Sequence, residues 1–288
     1  MNDQAESLRK LMNSRAERRE THIISVVSGK GGVGKTNVSV NFSIALAQKG
    51  KKVVLFDMDI GMANVDILLG THAAFNVRDM IERELSVWDI INEGPSGVYF
   101  AAGGSGLSDI FSLTEGKKKR FLHQIEMLNG HFDYIIFDLG AGVSKNSMQL
   151  VLASHEVFLV TTPEPTSITD AYSMIKHITA CDQNLPLFLI VNRAFYLSEG
   201  KKAGENLQKV SKRFLHKELN VLGLLPDDDA VRKAVYKQIP YSLAFPRAKV
   251  TGAIRNACNK YLDESEREPR KPFYSFISKL KGFMSSPS

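Results

Sequence analysis

The chain has 288 residues, 43% of them hydrophobic and 24% charged, so it can bury a full core and is not a disordered polymer. Its formal net charge of +6 is too small to imply nucleic-acid binding by itself, and where the charge sits matters more. Two distant cysteines, Cys181 and Cys258, exclude a disulfide scaffold and a self-contained zinc or iron–sulfur site, while the lack of a signal-peptide core or a long apolar run points to a cytoplasmic protein.

Residues 1–21 are polar and charge-rich and read as a flexible arm with some helical tendency, with Leu8, Leu11 and Met12 as a short apolar stripe. From His22 the texture changes. HIISVV is a β-branched run that ends in a glycine-rich loop, and residues 36–49 then carry Val40, Ile44, Leu46 and Ala47 at helical spacing before Gly50. KKVVLFD is a second buried strand, so the unit is strand–loop–helix–strand with a right-handed crossover. GVYFAAG, DYIIFDLG, EVFLVTTP, LPLFLIVN and NVLGLLP continue the series, with helical stretches near 114–129, 145–154, 167–180 and 203–218, then 228–237 and 247–262. Strands this uniformly apolar belong to a sheet covered on both faces. The fold expected is a doubly wound, mostly parallel α/β sheet over residues 22–262, followed by a charged linker, 263–272, and a separate apolar segment, 273–288.

The chemistry is concentrated in Gly29-Lys30-Gly31-Gly32-Val33-Gly34-Lys35-Thr36, which satisfies G-x-x-x-x-G-K-[ST]. Glycines let backbone N–H groups turn inward as an anion nest, and the following helix aims its N-terminus at the phosphates. Lys35 can reach the β- and γ-phosphates, the Thr36 hydroxyl can ligate Mg²⁺, and Asn37 completes the start of the helix. The early Lys30 is not needed to hold one nucleotide.

With Lys30 present, KGGVGKT resembles the deviant Walker A loop of the MinD/ParA family of ATPases. The resemblance implies that Lys30 reaches across an ATP-bound homodimer to the partner's nucleotide. It continues at residues 57–70, DMDIGMANVDILLG, which look like the family's first switch: Asp59 would serve the attacking water, and Asp57 would support the metal or cap the next helix. Residues 133–142, DYIIFDLGAG, resemble Walker B and the second switch, with Asp138 as the Mg²⁺ carboxylate. Asn192 and Arg193 match the adenine-contacting position, and Pro226, Asp227 and Asp228 the second base-side loop. An N-K-x-D pattern is missing, which favours ATP over GTP. The implied activity is slow, Mg²⁺-dependent ATP hydrolysis.

Both ends add to this. Phe273, Phe276, Ile277, Leu280, Phe283 and Met284 share one helical face, and Arg270, Lys271, Lys279 and Lys281 lie near it with no acid beyond residue 269. That composition fits an interfacial helix on anionic lipid, like the membrane-targeting helix of MinD-like proteins, or a helix docked in the protein's own groove. Asp3-Gln4-Ala5-Glu6-Ser7-Leu8-Arg9 looks like the D-Q-A-x-x-L-R arm of the flagellar-number branch of the family, FlhG (also YlxH or FleN). There the arm stimulates the SRP-type GTPase FlhF, which implies roles for Asp3, Gln4, Leu8 and Arg9, with flagellar C-ring proteins as further partners. A MinD-type division regulator would lack the arm. A ParA-type partition ATPase would bind DNA, for which Lys117-Lys118-Lys119-Arg120 is the available basic run, although a solvated helix face explains it more simply.

Overall fold

The computed structural model describes residues 20–59, 64–104, 114–142, 145–265 and 271–285. Eight strands form one sheet: β1 (His22–Val27), β2 (Val53–Met58), β3 (Ile91–Glu93), β4 (Val98–Ala101), β5 (Tyr134–Leu139), β6 (Glu156–Thr161), β7 (Leu187–Ala194) and β8 (Asn220–Pro226). Their order is β3-β4-β2-β5-β1-β6-β7-β8. All neighbours are parallel except β3, which runs antiparallel to β4 at one edge.

The helices are α1 (Lys35–Ala47), α2 (Val65–Leu69), α3 (Val77–Glu82), α4 (Val87–Ile90), α5 (Glu115–Glu126), α6 (Lys145–Ala153), α7 (Pro165–Cys181), α8 (Leu197–Leu215), α9 (Asp229–Lys237), α10 (Tyr241–Ala244), α11 (Lys249–Ser265) and α12 (Phe273–Ser285). Strand alternation divides the interior into two layers. Ile23, Phe56, Ile135, Phe137 and Leu159 face one core, which is covered by α5, α6, α7 and α12. Ile24, Leu55, Ile136, Phe158 and Ile190 face the other, covered by α1 and α11. Buried on nearly every side, α1 meets α11 through Phe42 and Tyr261, whose rings lie 5.7 Å apart.

Three boundaries differ from the sequence reading. Thr21, read as part of the arm, is wholly buried, and its hydroxyl donates to the Phe132 carbonyl at 2.7 Å. Helix α11 runs to Ser265 and takes the first residues of the expected linker. Helix α8 begins at Leu197 rather than near 203 and ends at Leu215; its buried stripe is Gly200, Ala203, Gly204, Leu207 and Ser211. Small residues there let the helix lie close on the sheet, so bulky apolar periodicity is missing from its first turns.

Helix α12 is docked. Phe273, Phe276, Ile277, Leu280 and Met284 are each at most 4% exposed, with Phe283 partly buried beside them. Phe276 stacks on Phe137 of β5 with ring centroids 6.0 Å apart. Of the two settings open to this face, the structure shows the protein's own groove. Each buried side chain stabilises docking by roughly 1.5–3 kcal/mol, before the cost of ordering the helix. Polar clasps add to this. Lys279 Nζ reaches Asp182 Oδ2 at 2.9 Å and the Leu152 carbonyl at 3.3 Å, and Lys281 reaches Glu126 at 2.7 Å. Lys118 donates to the Met284 carbonyl at the helix C-terminus, and the Phe273 N–H donates to Glu20 at its N-terminus. Burial works against ionised Asp182, yet the Lys279 hydrogen bond and the Asn184 N–H hold its carboxyl below the usual carboxylate range. No helix among the described residues is long and apolar enough to cross a membrane.

Candidate functional site

Parallel register assembles the site. Asp57 on β2 lies opposite Asp138 on β5, and Val26 on β1 opposite the same Asp138. Both carboxylates therefore arrive at the strand ends where the loop after β1 begins, the edge at which open α/β sheets bind ligands.

The phosphate loop has the shape its glycines predict. Gly32 and Gly34 have φ of +78° and +84°, a region that side chains avoid. Gly34 precedes α1, and no side chain caps that terminus, which leaves its N–H groups to an anion. Gly29 is needed for a different reason: a Cβ there would sit 2.4 Å from the Asp170 carbonyl carbon of α7.

Lys35 is buried, and its Nζ lies 2.8 Å from Asp138 Oδ1. Ser39, one turn along α1, donates its hydroxyl to the same oxygen at 2.8 Å. The other oxygen, Asp138 Oδ2, is buried without a hydrogen-bond partner. An orphaned buried carboxylate oxygen fits a hard cation, and with the half-buried Thr36 next to Lys35 in the chain, the residues present suit Mg²⁺.

Asp57 serves its loop in this structure. Its Oδ1 accepts the Asp59 N–H at 3.0 Å, and its Oδ2 accepts those of Asn64 and Val65 at 2.8 and 3.1 Å. It thus pins both ends of the segment 59–65 and caps α2, the second of its two sequence readings. Burial, with the nearby Asp138 charge, pushes its carboxyl up to about 6 against those three donors. Asp59 stands over the second switch, with Oδ1 3.1 Å from where a Cβ on Gly140 would be. Its carboxyl is also raised, by burial first, with Lys35 opposing and Asp138 adding to the shift.

Lys30 lies outside this cluster. Its Nζ bonds Glu164 Oε2 at 2.9 Å and Thr166 Oγ1 at 3.0 Å on the β6–α7 turn, with the lysine 32% and the glutamate 54% exposed. The Lys30 hydrogen bond holds the Glu164 carboxyl below its ordinary value.

The base side is a cavity of about 260 Å³ lined by Gly34, Asn37, Asn192, Arg193, Pro226, Asp227 and Asp228, among others. Every base-side residue named from sequence is there. Asn192 Nδ2 donates to the Val33 carbonyl at 2.8 Å, and Arg193, at φ +56°, donates to the Gly32 carbonyl at 3.1 Å. These bonds tie the base-side loop to the phosphate loop. Asp228 caps α9 through Ala230 N–H and also accepts Val250 N–H, so its carboxylate holds two helices together. Val231, Arg232 and Tyr241 also line the cavity and carry no motif that sequence reading could have used.

Residues 24–241 match the CobQ/CobB/MinD/ParA nucleotide-binding domain. The chain belongs to this family. Within it, the chain is 39% identical over 239 residues to the antiactivator FleN of Pseudomonas aeruginosa, covering 83% of this chain and 85% of that one. It is 36% identical over 244 residues to the flagellum site-determining protein YlxH of Helicobacter pylori, covering 82% of each. Among solved structures, the septum site-determining protein MinD of Pyrococcus horikoshii, complexed with Mg-ADP, superposes with a TM-score of 0.69 at 27% identity, covering 87% of this chain and 100% of that one. This MinD/ParA chain thus carries the doubly wound, mostly parallel fold of the family around its phosphate loop.

The arm residues Asp3, Gln4, Leu8 and Arg9 and switch residues 60–63 lie outside the described residues. Lys117–Arg120 are partly occupied within the fold: Arg120 bonds the Met80 and Leu85 carbonyls, and Lys118 bonds that of Met284.

Proposed function

We propose that this protein is an ATP-hydrolysing, ATP-dimerising regulator of flagellar number or placement that binds the membrane reversibly through α12. The observation that carries the reading is Lys30. It points out of its own phosphate pocket to an exposed glutamate, where a second molecule can meet it, while Lys35 alone serves the pocket from within.

ATP would lie with its phosphates over the nest and its base in the 260 Å³ cavity. Lys35 would exchange Asp138 for the β- and γ-phosphates. Thr36 and Asp138 are the residues that would hold Mg²⁺, which when bound neutralises phosphate charge; Ser39 keeps the Asp138 carboxylate oriented, and Asp57 supports the switch loop beside it. Asp59 would orient the attacking water. Two protomers would face each other across the nucleotides, with Lys30 released from Glu164 to the partner's phosphates. Gly140 and Gly142 give the second switch freedom to follow the γ-phosphate, and α6, which follows that switch, holds α12 through the Leu152 carbonyl. Dimerisation would thereby free α12, and two anchors on one particle would bind anionic lipid where one binds weakly.

The flagellar assignment rests on identities of 39% and 36% to FleN and YlxH, against 29% over 246 residues to MinD of Bacillus subtilis, together with the arm sequence. The arm would stimulate an FlhF-like SRP-type GTPase, with Gln4 as its water-orienting residue, and the monomer would meet flagellar C-ring proteins. Size-exclusion chromatography of Asp59→Ala with Mg-ATP tests the mechanism. A dimer that Lys30→Ala abolishes is the expected result; a monomer in ATP overturns it. Loss of FlhF stimulation in Gln4→Ala tests the arm separately.

A further inference from the structure

Strand β8 ends the sheet, and among the described residues no strand closes its outer edge. It forms the floor of a cavity of about 970 Å³. One wall is α8, with Leu197, Lys201, Glu205 and Gln208, and the other is α11, with Lys249, Gly252, Asn256 and Lys260. This groove is separate from the phosphate loop, from the Lys30 side and from α12.

Three features define what would fill it. First, two carbonyls at the start of this strand, that of Val221 and that of Leu219 just before it, accept hydrogen bonds from side chains rather than from a neighbouring strand. Gln208 Nε2 donates to the Leu219 carbonyl at 2.7 Å, and Lys260 Nζ donates to that of Val221. An extended segment supplies such donors in series, whereas a helix keeps its own N–H groups internally bonded. Second, the wall positions beside the strand are small: a Cβ on Gly252 would meet nothing within 4 Å. Third, the rim carries Lys201, Lys249 and Lys260 against Glu205 and Asp227. The ion pairs of Lys201 and Lys260 are loose, with Glu205 at 3.9 Å and Glu264 at 3.8 Å, and Lys249 makes no ion pair among the described residues. At the upper end, Phe195 and Leu197 are 74% and 58% exposed, an apolar seat for one anchoring side chain.

We propose that this groove binds an extended acidic segment of a partner protein, added to the sheet as a ninth strand along β8. Its backbone takes over the acceptors now held by Gln208 and Lys260. The freed lysine and Lys249 pair with its carboxylates, and an apolar residue packs on Phe195 and Leu197. The groove shares Pro226 and Asp227 with the base cavity, so the segment lies against the loop to which the proposed function assigns the base. Capping by Lys260 keeps the edge from pairing indiscriminately when the segment is absent.

The test is selection of phage-displayed random dodecapeptides on the full chain, followed by fluorescence polarisation with the recovered peptides. The blocking variant is Gly252→Trp, at a wall position where an added Cβ meets nothing within 4 Å. Expected are acidic peptides with alternating apolar residues that protect β8 amides from exchange. They lose about tenfold or more in affinity to Gly252→Trp, because the indole occupies their path. Lys249→Glu weakens them roughly threefold, as one rim charge does. ATP turnover is the same in both variants as in the native chain. Recovery of no peptide, or of peptides that bind Gly252→Trp equally well, overturns the proposal. So does a concentration-dependent dimer of the nucleotide-free chain that Gly252→Trp abolishes, since the occupant is then a second copy.

Discussion

Replacing Asp182 with Asn and Glu126 with Gln should loosen α12 without changing a residue of the helix. Both acids belong to the groove, so the side chains of the helix itself are unchanged. Asp182 pairs with Lys279 at 2.9 Å and Glu126 with Lys281 at 2.7 Å, and the acids are 26% and 27% exposed with lysines 40% and 55% exposed. Pairs this open are screened by solvent, so the two together stabilise docking by about 1 kcal/mol. The docking equilibrium should shift roughly fivefold toward release. The apolar face, far larger in energy, still holds most molecules docked. In sedimentation with anionic vesicles under sub-saturating conditions, the nucleotide-free double variant should pellet roughly fivefold more than the native chain. Amides of 273–285 should exchange faster by a similar factor. Unchanged exchange and unchanged pelleting would show that the clasps contribute nothing to holding the helix, and would refute the reasoning.

Three further outcomes follow from the site and its supports. Lys35→Gln should lose nucleotide binding by equilibrium dialysis while keeping its fold, since Asp138 retains the Ser39 hydroxyl. Gly29→Ala should lower the denaturation midpoint, because its Cβ would stand 2.4 Å from backbone of α7; overpacking of that kind costs about 1–3 kcal/mol. His155 is buried beside His22, ring centroids 4.9 Å apart, and burial, then the positive fields of His22, Lys271 and Lys279, lowers it to about 3. A histidine depressed in the fold binds its proton only on unfolding between its two pKa values, so stability falls as pH drops from about 6.5 toward 3. Between pH 6.5 and 5 that amounts to about 2 kcal/mol. His155→Asn keeps an acceptor for the Ile23 N–H and should flatten this slope in urea titrations at the two pH values.

The sheet and its ligand edge were legible because parallel strands buried on both faces are written as apolar runs, and because an acid closes β2 and β5. The phosphate loop was legible because glycine at 32 and 34 has a backbone reason. Beyond the first switch, residues 71–93 were not read. Helices α2 to α4 are one or two turns each, too short for periodicity, although Asn76 with Asp79 and Ser86 with Asp89 form capping boxes that the sequence displays. Strand order and the destination of α12 depend on contacts between distant segments, such as Phe276 on Phe137, which local pattern does not encode. Its apolar face was visible, and so were its two settings; which of them it takes was not. Ser39 could have been found, since it follows Lys35 by four residues and so shares its side of α1. The Glu164 partner of Lys30 gave no such signal.

The central claim is that ATP-driven dimerisation and release of α12 are one event. It is tested most directly by hydrogen exchange of residues 273–285 in Asp59→Ala, compared in Mg-ATP and Mg-ADP without lipid. The account predicts protection in ADP and its loss in ATP. Equal protection in the two nucleotides, in a protein that has dimerised with ATP, would contradict it.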